Sequence, residues 1–214
     1  MHPARQQETS HEETSAERDT SRLEAFSDGV FAIAITLLVL EVKVPHFDNA
    51  STSSALTGAL LRQWPSYLAL ITSFFTVLIM WVHHHIVFRL VRCADVKLLF
   101  VNGLLLFFIS VVPFPTAVVA EYLGTSAAPA ACMLYAGFFL CISICFQLLR
   151  MAAFRPAVMI PSASDATLRR LRGSYWIGPP VYILATVIAP FYPFAAICIC
   201  SVMWIFWAAM TREC

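Results

Sequence analysis

Charged residues are scarce in this chain of 214 residues: Lys, Arg, Asp and Glu make up only 13% of it, whereas 59% of its residues are apolar. Soluble domains carry about 25% charged residues, so the composition excludes an ordinary soluble domain. The few charges also cluster, which leaves apolar windows of the roughly 20 residues that a helix needs to cross a bilayer. The sequence therefore predicts an integral membrane protein.

Patterns typical of reactive and metal sites are missing too. No HxxxH, HExxH or GxSxG occurs in the sequence. Each of these spacings would place metal ligands or an elbow-type serine nucleophile where chemistry needs them. The seven cysteines have neither zinc-ligand spacing nor the arrangement of a disulfide framework. We therefore expect no metal, no cofactor and no enzyme activity.

Six apolar windows predict an all-α polytopic fold with six transmembrane helices per chain. They cover about 25–44, 66–88, 97–120, 129–150, 174–190 and 192–210. Residues 1–20 are acidic and polar without apolar periodicity, which favours a disordered tail on the cytoplasmic side. Residues 21–214 then form one membrane domain.

The placement of Lys and Arg gives the orientation in the membrane. Twelve of the 14 basic residues fall in the N-terminal segment, the second and fourth connections and the C-terminus. Only Lys43 and Arg62 fall on the opposite side. Because cytoplasmic segments of membrane proteins are enriched in Lys and Arg, we expect both termini in the cytoplasm.

The first span separates into two faces when about 100° is allotted to each residue. Ile33, Leu37 and Leu40 share one face, with Thr36 at its edge. Asp28 points to the other side of the helix. An aspartate at the end of a membrane helix is costly unless it meets partners, although it can also act as a helix cap.

Polar side chains of three spans are predicted to meet at one membrane depth near the inner face. Asp28 opens the first span, three consecutive histidines close the second, and Asn102 lies about one turn into the third. We favour His84 and His85 as the histidines that face the bundle. They could be satisfied core groups or pH sensors, and a metal site is the weaker alternative.

The polar residues at the start of the first span form part of a motif that resembles a family signature. The run Arg22-x3-Phe26-Ser27-Asp28-Gly29, followed by an apolar span, resembles the signature of the bacterial and lysosomal potassium channels of the transmembrane-protein-175 family. Later landmarks similar to that family are Trp81, the three histidines, Asn102 and Pro113-Phe-Pro115. The likeness covers roughly residues 20–122 closely and the last three spans only in number and length.

The resemblance implies a bacterial homotetramer in which the first helix of each chain lines a central pore. It places the narrowest ring at Ile33, with Leu37 and Leu40 further out and Thr36 beside them. Arg22, Phe26, Ser27 and Asp28 would then join His84, His85 and Asn102 in a structural polar network. No carbonyl filter of the TVGYG type occurs in the chain.

The function implied by the resemblance is a leak-like, potassium-preferring cation channel of the bacterial plasma membrane. Its partners would be copies of itself, membrane lipids and permeant monovalent cations, with no nucleic acid. A secondary transporter and an intramembrane enzyme that uses the histidines are the alternatives. Unitary currents in planar bilayers would separate a channel from both.

Overall fold

The computed structural model describes residues 3–46, 52–160, 173 and 175–211, with side chains described from Arg18 onward. The architecture of these ranges is all-helical, with one isolated antiparallel bridge between Val91 and Met159. The helices are α1 (Pro3–Leu37), α2 (Ser53–Arg62), α3 (Trp64–Phe88), α4 (Val96–Val111), α5 (Pro113–Tyr122), α6 (Ala128–Ala153), α7 (Gly178–Ile188) and α8 (Pro193–Thr211).

Local sequence signals account for the helix boundaries. The side chains of Thr52 and Asp95 accept hydrogen bonds from the first-turn amides of α2 and α4, as N-cap residues do. Proline stands in the first turn of α3, α5, α6 and α7, where its missing N–H costs nothing. Pro113 therefore divides the third apolar window into α4 and α5.

Five helical stretches of the described chain are long and apolar enough to cross a membrane. They are Arg18–Glu41, Trp64–Phe88, Val96–Tyr122, Ala128–Ala153 and Pro193–Thr211. The window predicted at 174–190 contains α7, which has only 11 residues. A helix of that length rises about 17 Å, roughly half of the hydrocarbon thickness. The count of six spans thus remains a prediction, as does the division at residue 20.

The N-terminal segment has a helical backbone, and the disorder expected for residues 1–20 stays a prediction. α1 begins at Pro3, so the backbone of the acidic tail is helical and continuous with the first span. Glu, Gln, Arg and Ala, which make up half of residues 1–20, are good helix formers and need no apolar face to favour the helix. Low hydrophobicity predicts the lack of a core, but it does not exclude a solvated helix.

α6 is the central helix of the bundle. α4, α5, α7 and α8 all pack against it, and its Tyr135, Phe139 and Ile142 are fully buried. α1 lies at the edge, where it packs on α3 and α4. The first span is therefore held from one side only.

Among the described glycines, Gly178 in α7 has the closest neighbour from another helix. A Cβ atom added there would lie 2.5 Å from the Ser143 hydroxyl oxygen. Gly178→Ala is therefore expected to lower the free energy of unfolding by about 1–3 kcal/mol through overpacking. The double variant Gly178→Ala/Ser143→Ala should recover most of it in thermal unfolding. Gly137→Ala is the matched control, because its Cβ would meet Thr186 at an ordinary 3.7 Å.

A partly exposed ion pair joins the start of α4 to the chain just after α6. Asp95 accepts a hydrogen bond of 2.7 Å from Arg155 and one of 2.9 Å from the Leu98 amide. These bonds, led by that of Arg155, hold the pKa of Asp95 below its usual 3.8. Because the pKa is lowered on folding, the stabilisation by the ion pair is fully present above the unfolded-state pKa of 3.8. It is lost as the pH falls through the lower pKa of the folded state.

We expect Arg155→Gln to cost about 0.2–1 kcal/mol at neutral pH, because the pair is solvent-screened. The cost should begin to shrink as the pH falls below 3.8, and it should vanish only below the lowered pKa of Asp95 in the wild type, where the carboxyl is protonated in both proteins. Arg92 is an exposed arginine between α3 and α4, and Arg92→Gln is the control. It should change neither the stability at neutral pH nor the dependence of the stability on pH. An Arg155→Gln cost that is constant with pH would contradict this account.

Candidate functional site

α1 presents one buried and one exposed apolar face. Phe31 and Leu38 are at most 1% exposed and pack into the bundle. On the other face, Ile33 is 62% exposed and Leu40 is 69% exposed. Leu37 is 39% exposed on the same side. A large exposed apolar face on a helix marks a surface that lipid or another protein copy covers.

The outer part of this face departs from a regular helix. α1 ends at Leu37, and Leu38–Glu41 form a 3-10 turn, so Leu40 lies on a more tightly wound segment than an α-helical wheel assumes. Thr36 is exposed, and its hydroxyl donates to the Ile33 carbonyl at 2.9 Å. The carbonyl of Ile33 is thus hydrogen-bonded along the helix, and the side chains alone shape the exposed face.

Three buried polar side chains tie α1 to its two neighbours. Asn102 of α4 donates its amide N–H to the Ser27 hydroxyl at 2.9 Å. The Asn102 carbonyl accepts from Nε2 of His84 in α3 at 2.9 Å. All three side chains are completely buried. We call this set the inner polar network.

The inner polar network leaves little choice in its proton positions. Because the Asn102 carbonyl can only accept, Nε2 of His84 carries the hydrogen. The Ser27 hydroxyl donates in turn to the Leu23 carbonyl at 2.8 Å. Nδ1 of His84 is buried and has no hydrogen-bond partner among the described residues. The His84 ring stacks on Phe88 at 4.3 Å, which fixes its plane.

Asp28 has a different partner from those predicted. Its carboxylate accepts a hydrogen bond of 2.8 Å from the indole N–H of Trp81. Ser27, and not Asp28, reaches Asn102. The reason is that Ser27 and Asp28 differ by about 100° around α1, so they face different neighbours. Trp81 is the partner that the sequence interpretation missed, although it stands one turn before His85 on α3.

The choice of histidines was also partly wrong. His83 and His84 are buried, whereas His85 is exposed and pairs with Glu24 at 2.8 Å. The ring of His83 contacts the Tyr175 hydroxyl and the Trp207 carbonyl. α3 is covered on two sides, by α1 and by α8, so two adjacent histidines can both be buried. The sequence analysis also did not predict Glu24 as the partner of His85, although Glu24 lies one turn before Asp28 on α1.

Arg22 and Phe26 lie outside the inner polar network, contrary to the prediction. The Arg22 side chain is 85% exposed and lies 4.0 Å from Asp19 on its own helix. Phe26 is 64% exposed. Both follow the exposed side of α1, because their helical positions turn them away from α3 and α4.

The bond between Asp28 and Trp81 gives a direct test of this arrangement. Asp28→Ala is expected to cost about 1–3 kcal/mol in the free energy of unfolding, since it leaves a partly buried indole N–H unpaired. Once Trp81→Phe has removed the donor, Asp28→Ala should cost little more. A double-mutant cycle by thermal unfolding measures this coupling. Strictly additive costs would mean that the bond between Asp28 and Trp81 contributes nothing to stability.

This geometry defines a class of protein: an all-helical membrane protein whose first span is anchored by buried polar bonds and offers an apolar face outward. Residues 22–113 match the family model described as endosomal/lysosomal potassium channel TMEM175. A protein named potassium channel from Chamaesiphon minutus is 43% identical to this chain over 197 residues. The match spans 92% of this chain and 97% of the relative. The chain belongs to the TMEM175 family.

Other relatives agree with this assignment. A protein named potassium channel from Streptomyces collinus is 43% identical over 180 residues, 80% of this chain and 85% of the relative. The human protein named endosomal/lysosomal proton channel TMEM175 is 40% identical over 108 residues, 48% of this chain and 21% of the relative. The crystal structure of a lysosomal potassium-selective channel TMEM175 homolog from Chamaesiphon minutus superposes with a TM-score of 0.81 at 42% identity, over 90% of this chain and 97% of that one.

Proposed function

We propose that this chain forms a potassium-preferring, leak-like cation channel, in which α1 from each of four copies surrounds one central pore. The single observation that supports this most strongly is the exposed apolar face of α1, set opposite a buried polar anchor. Bacterial relatives of nearly full coverage named potassium channel support the same function. Potassium is the permeant ion, and conduction needs no cofactor and no chemical reaction.

The constriction in this proposal is a ring of four Ile33 side chains. Such a ring offers no oxygen ligands, so it can select only by its radius and by the cost of removing water from the ion. Potassium holds its hydration shell less tightly than sodium, and a narrow apolar neck therefore penalises sodium more. The neck can also close by dewetting without a large movement.

The inner polar network sets the angle of α1 in this proposal and is not itself the ion path. Ser27 bonds to α4 and, through Asn102, to α3, so the helix cannot rotate without breaking buried hydrogen bonds. Breaking them in the membrane leaves unpaired polar groups. The exposed Ile33 is thereby held facing away from the bundle.

The proposal also includes the location and orientation of the chain in the membrane. The chain resides in the bacterial plasma membrane with both termini in the cytoplasm, as the distribution of basic residues indicates. Lipids cover the apolar residues that project elsewhere, such as Phe100 at 77% exposure. Arg22 and Phe26 then face neighbouring copies or the inner membrane surface.

The test is a recording from the purified chain in planar bilayers, with potassium on one side and sodium on the other. We expect unitary currents whose reversal potential favours potassium, together with a protein mass four times the 23.8 kDa of one chain. A reversal potential that follows only a pH gradient would indicate proton conduction, as the name of the human relative implies for that protein. Transport without unitary currents would indicate a transporter.

A further inference from the structure

An open cleft of about 670 Å³ lies at the outer end of the bundle in the orientation proposed above, beside the chain that follows the 3-10 turn of α1. Among the described residues, four charged side chains line it: Glu41, Lys43, Arg62 and Glu121. Their formal charges at neutral pH cancel, because two are carboxylates and two are cations. The cleft is therefore neutral, although it holds both basic residues that the sequence places on the outer side.

Lys43 and Glu121 form an ion pair in this cleft. Nζ of Lys43 donates a hydrogen bond of 2.8 Å to the Glu121 carboxylate. This bond raises the pKa of Lys43 above its usual 10.5, so the ammonium group is charged at neutral pH. Both side chains are exposed, at 73% and 55%, and exposed pairs contribute little to stability. What the pair changes is therefore chiefly the local electrostatic potential.

The ion pair holds the Lys43 side chain against the bundle. Lys43 lies only three residues after Leu40 of the exposed apolar face of α1. The 3-10 turn Leu38–Glu41 packs on α3 and α5, and Glu121 stands in the last turn of α5. A lysine has a flexible four-carbon stem, so without Glu121 its ammonium group would be free to take other positions at this level.

We propose that Glu121 determines the conductance of the channel by neutralising Lys43 at the outer mouth of the pore. The inference rests on the proposed function, because only a central pore lined by α1 brings four copies of Lys43 around one mouth. Four unpaired ammonium groups there would repel potassium and lower its local concentration. Glu121 supplies the opposite charge at 2.8 Å from a helix that does not line the pore.

The test compares unitary potassium currents of charge variants at low and high salt. In about 0.01 M KCl, Glu121→Gln should lower the current about threefold, the effect of four unit charges about 15 Å from an ion. Lys43→Gln leaves the carboxylate unpaired and should raise the current. The double variant Lys43→Gln/Glu121→Gln removes both charges and should conduct like the wild type. In about 1 M KCl all these differences should disappear, because the Debye length falls to about 3 Å.

Lys43→Arg is the matched control, because it keeps both the charge and the ability to bond to Glu121. Its current should equal that of the wild type at both salt concentrations. A wild-type current from Glu121→Gln at low salt would overturn the inference and leave the proposed channel intact. A loss of current in both single variants that the double variant does not recover would overturn it too, since the pair would then act as a mechanical link between α1 and α5. A wild type without unitary currents would overturn the proposed function and this inference with it.

Discussion

Ile33→Asn is expected to raise the unitary current and to bring the potassium-to-sodium permeability ratio close to one. Ile33 is 62% exposed on the face of α1 that turns away from the bundle. Four carboxamides at this level would hydrogen-bond water and keep the neck hydrated. An ion would then pass with its shell largely intact, and the difference in dehydration cost between potassium and sodium would no longer matter.

The comparison variants separate this effect from a general disturbance. Thr36→Ala should shift the ratio less, because Thr36 lies at the edge of the exposed face and its hydroxyl bonds to the Ile33 carbonyl. Ile205→Asn makes the same change at a residue of α8 that is 52% exposed, and it should leave the ratio unchanged. Bi-ionic reversal potentials in planar bilayers provide the measurement. An unchanged ratio in an assembled Ile33→Asn channel would remove Ile33 from the constriction.

The two faces of α1 could be predicted from the sequence because they depend only on the helical period. Phe31 and Ile33 are two residues apart, about 200° around the helix, and the structure gives them exposures of 1% and 62%. The common depth of Ser27, His84 and Asn102 was also predictable. It follows from the direction in which each span runs and from the distance of each residue from the span's end.

The hydrogen-bond partners of these side chains could not be predicted from the sequence. A helical wheel gives the direction of each side chain around its own helix, but not the positions of the neighbouring helices. Asp28 and Ser27 are adjacent in sequence, yet one meets Trp81 and the other meets Asn102. The burial of His83 depends likewise on α8 and on Tyr175, which are far away in sequence. The acidic, polar composition of the N-terminal tail likewise did not indicate that its backbone continues from Pro3 into the first span as one helix.

Asn102→Leu is expected to lower the free energy of unfolding by about 1–3 kcal/mol and to abolish normal unitary currents. Leucine keeps the branched shape of asparagine, although its methyl groups are larger, and the main cost comes from Nε2 of His84, which loses its acceptor while fully buried. Ser27→Ala removes only the other end of the network and should cost less. Its matched control is Ser110→Ala, because the Ser110 hydroxyl donates to the Phe107 carbonyl on its own helix.

The triple variant Ser27→Ala/His84→Phe/Asn102→Leu distinguishes stability from orientation. Because it removes every polar partner at once, no buried group is left unpaired, and the thermal stability should return to near that of the wild type. The hydrogen bonds that prevent α1 from rotating would still be missing, so the potassium-to-sodium ratio should remain abnormal. A stable triple variant with the ratio of the wild type would mean that apolar packing alone orients α1, and that the inner polar network does not hold Ile33 towards the pore.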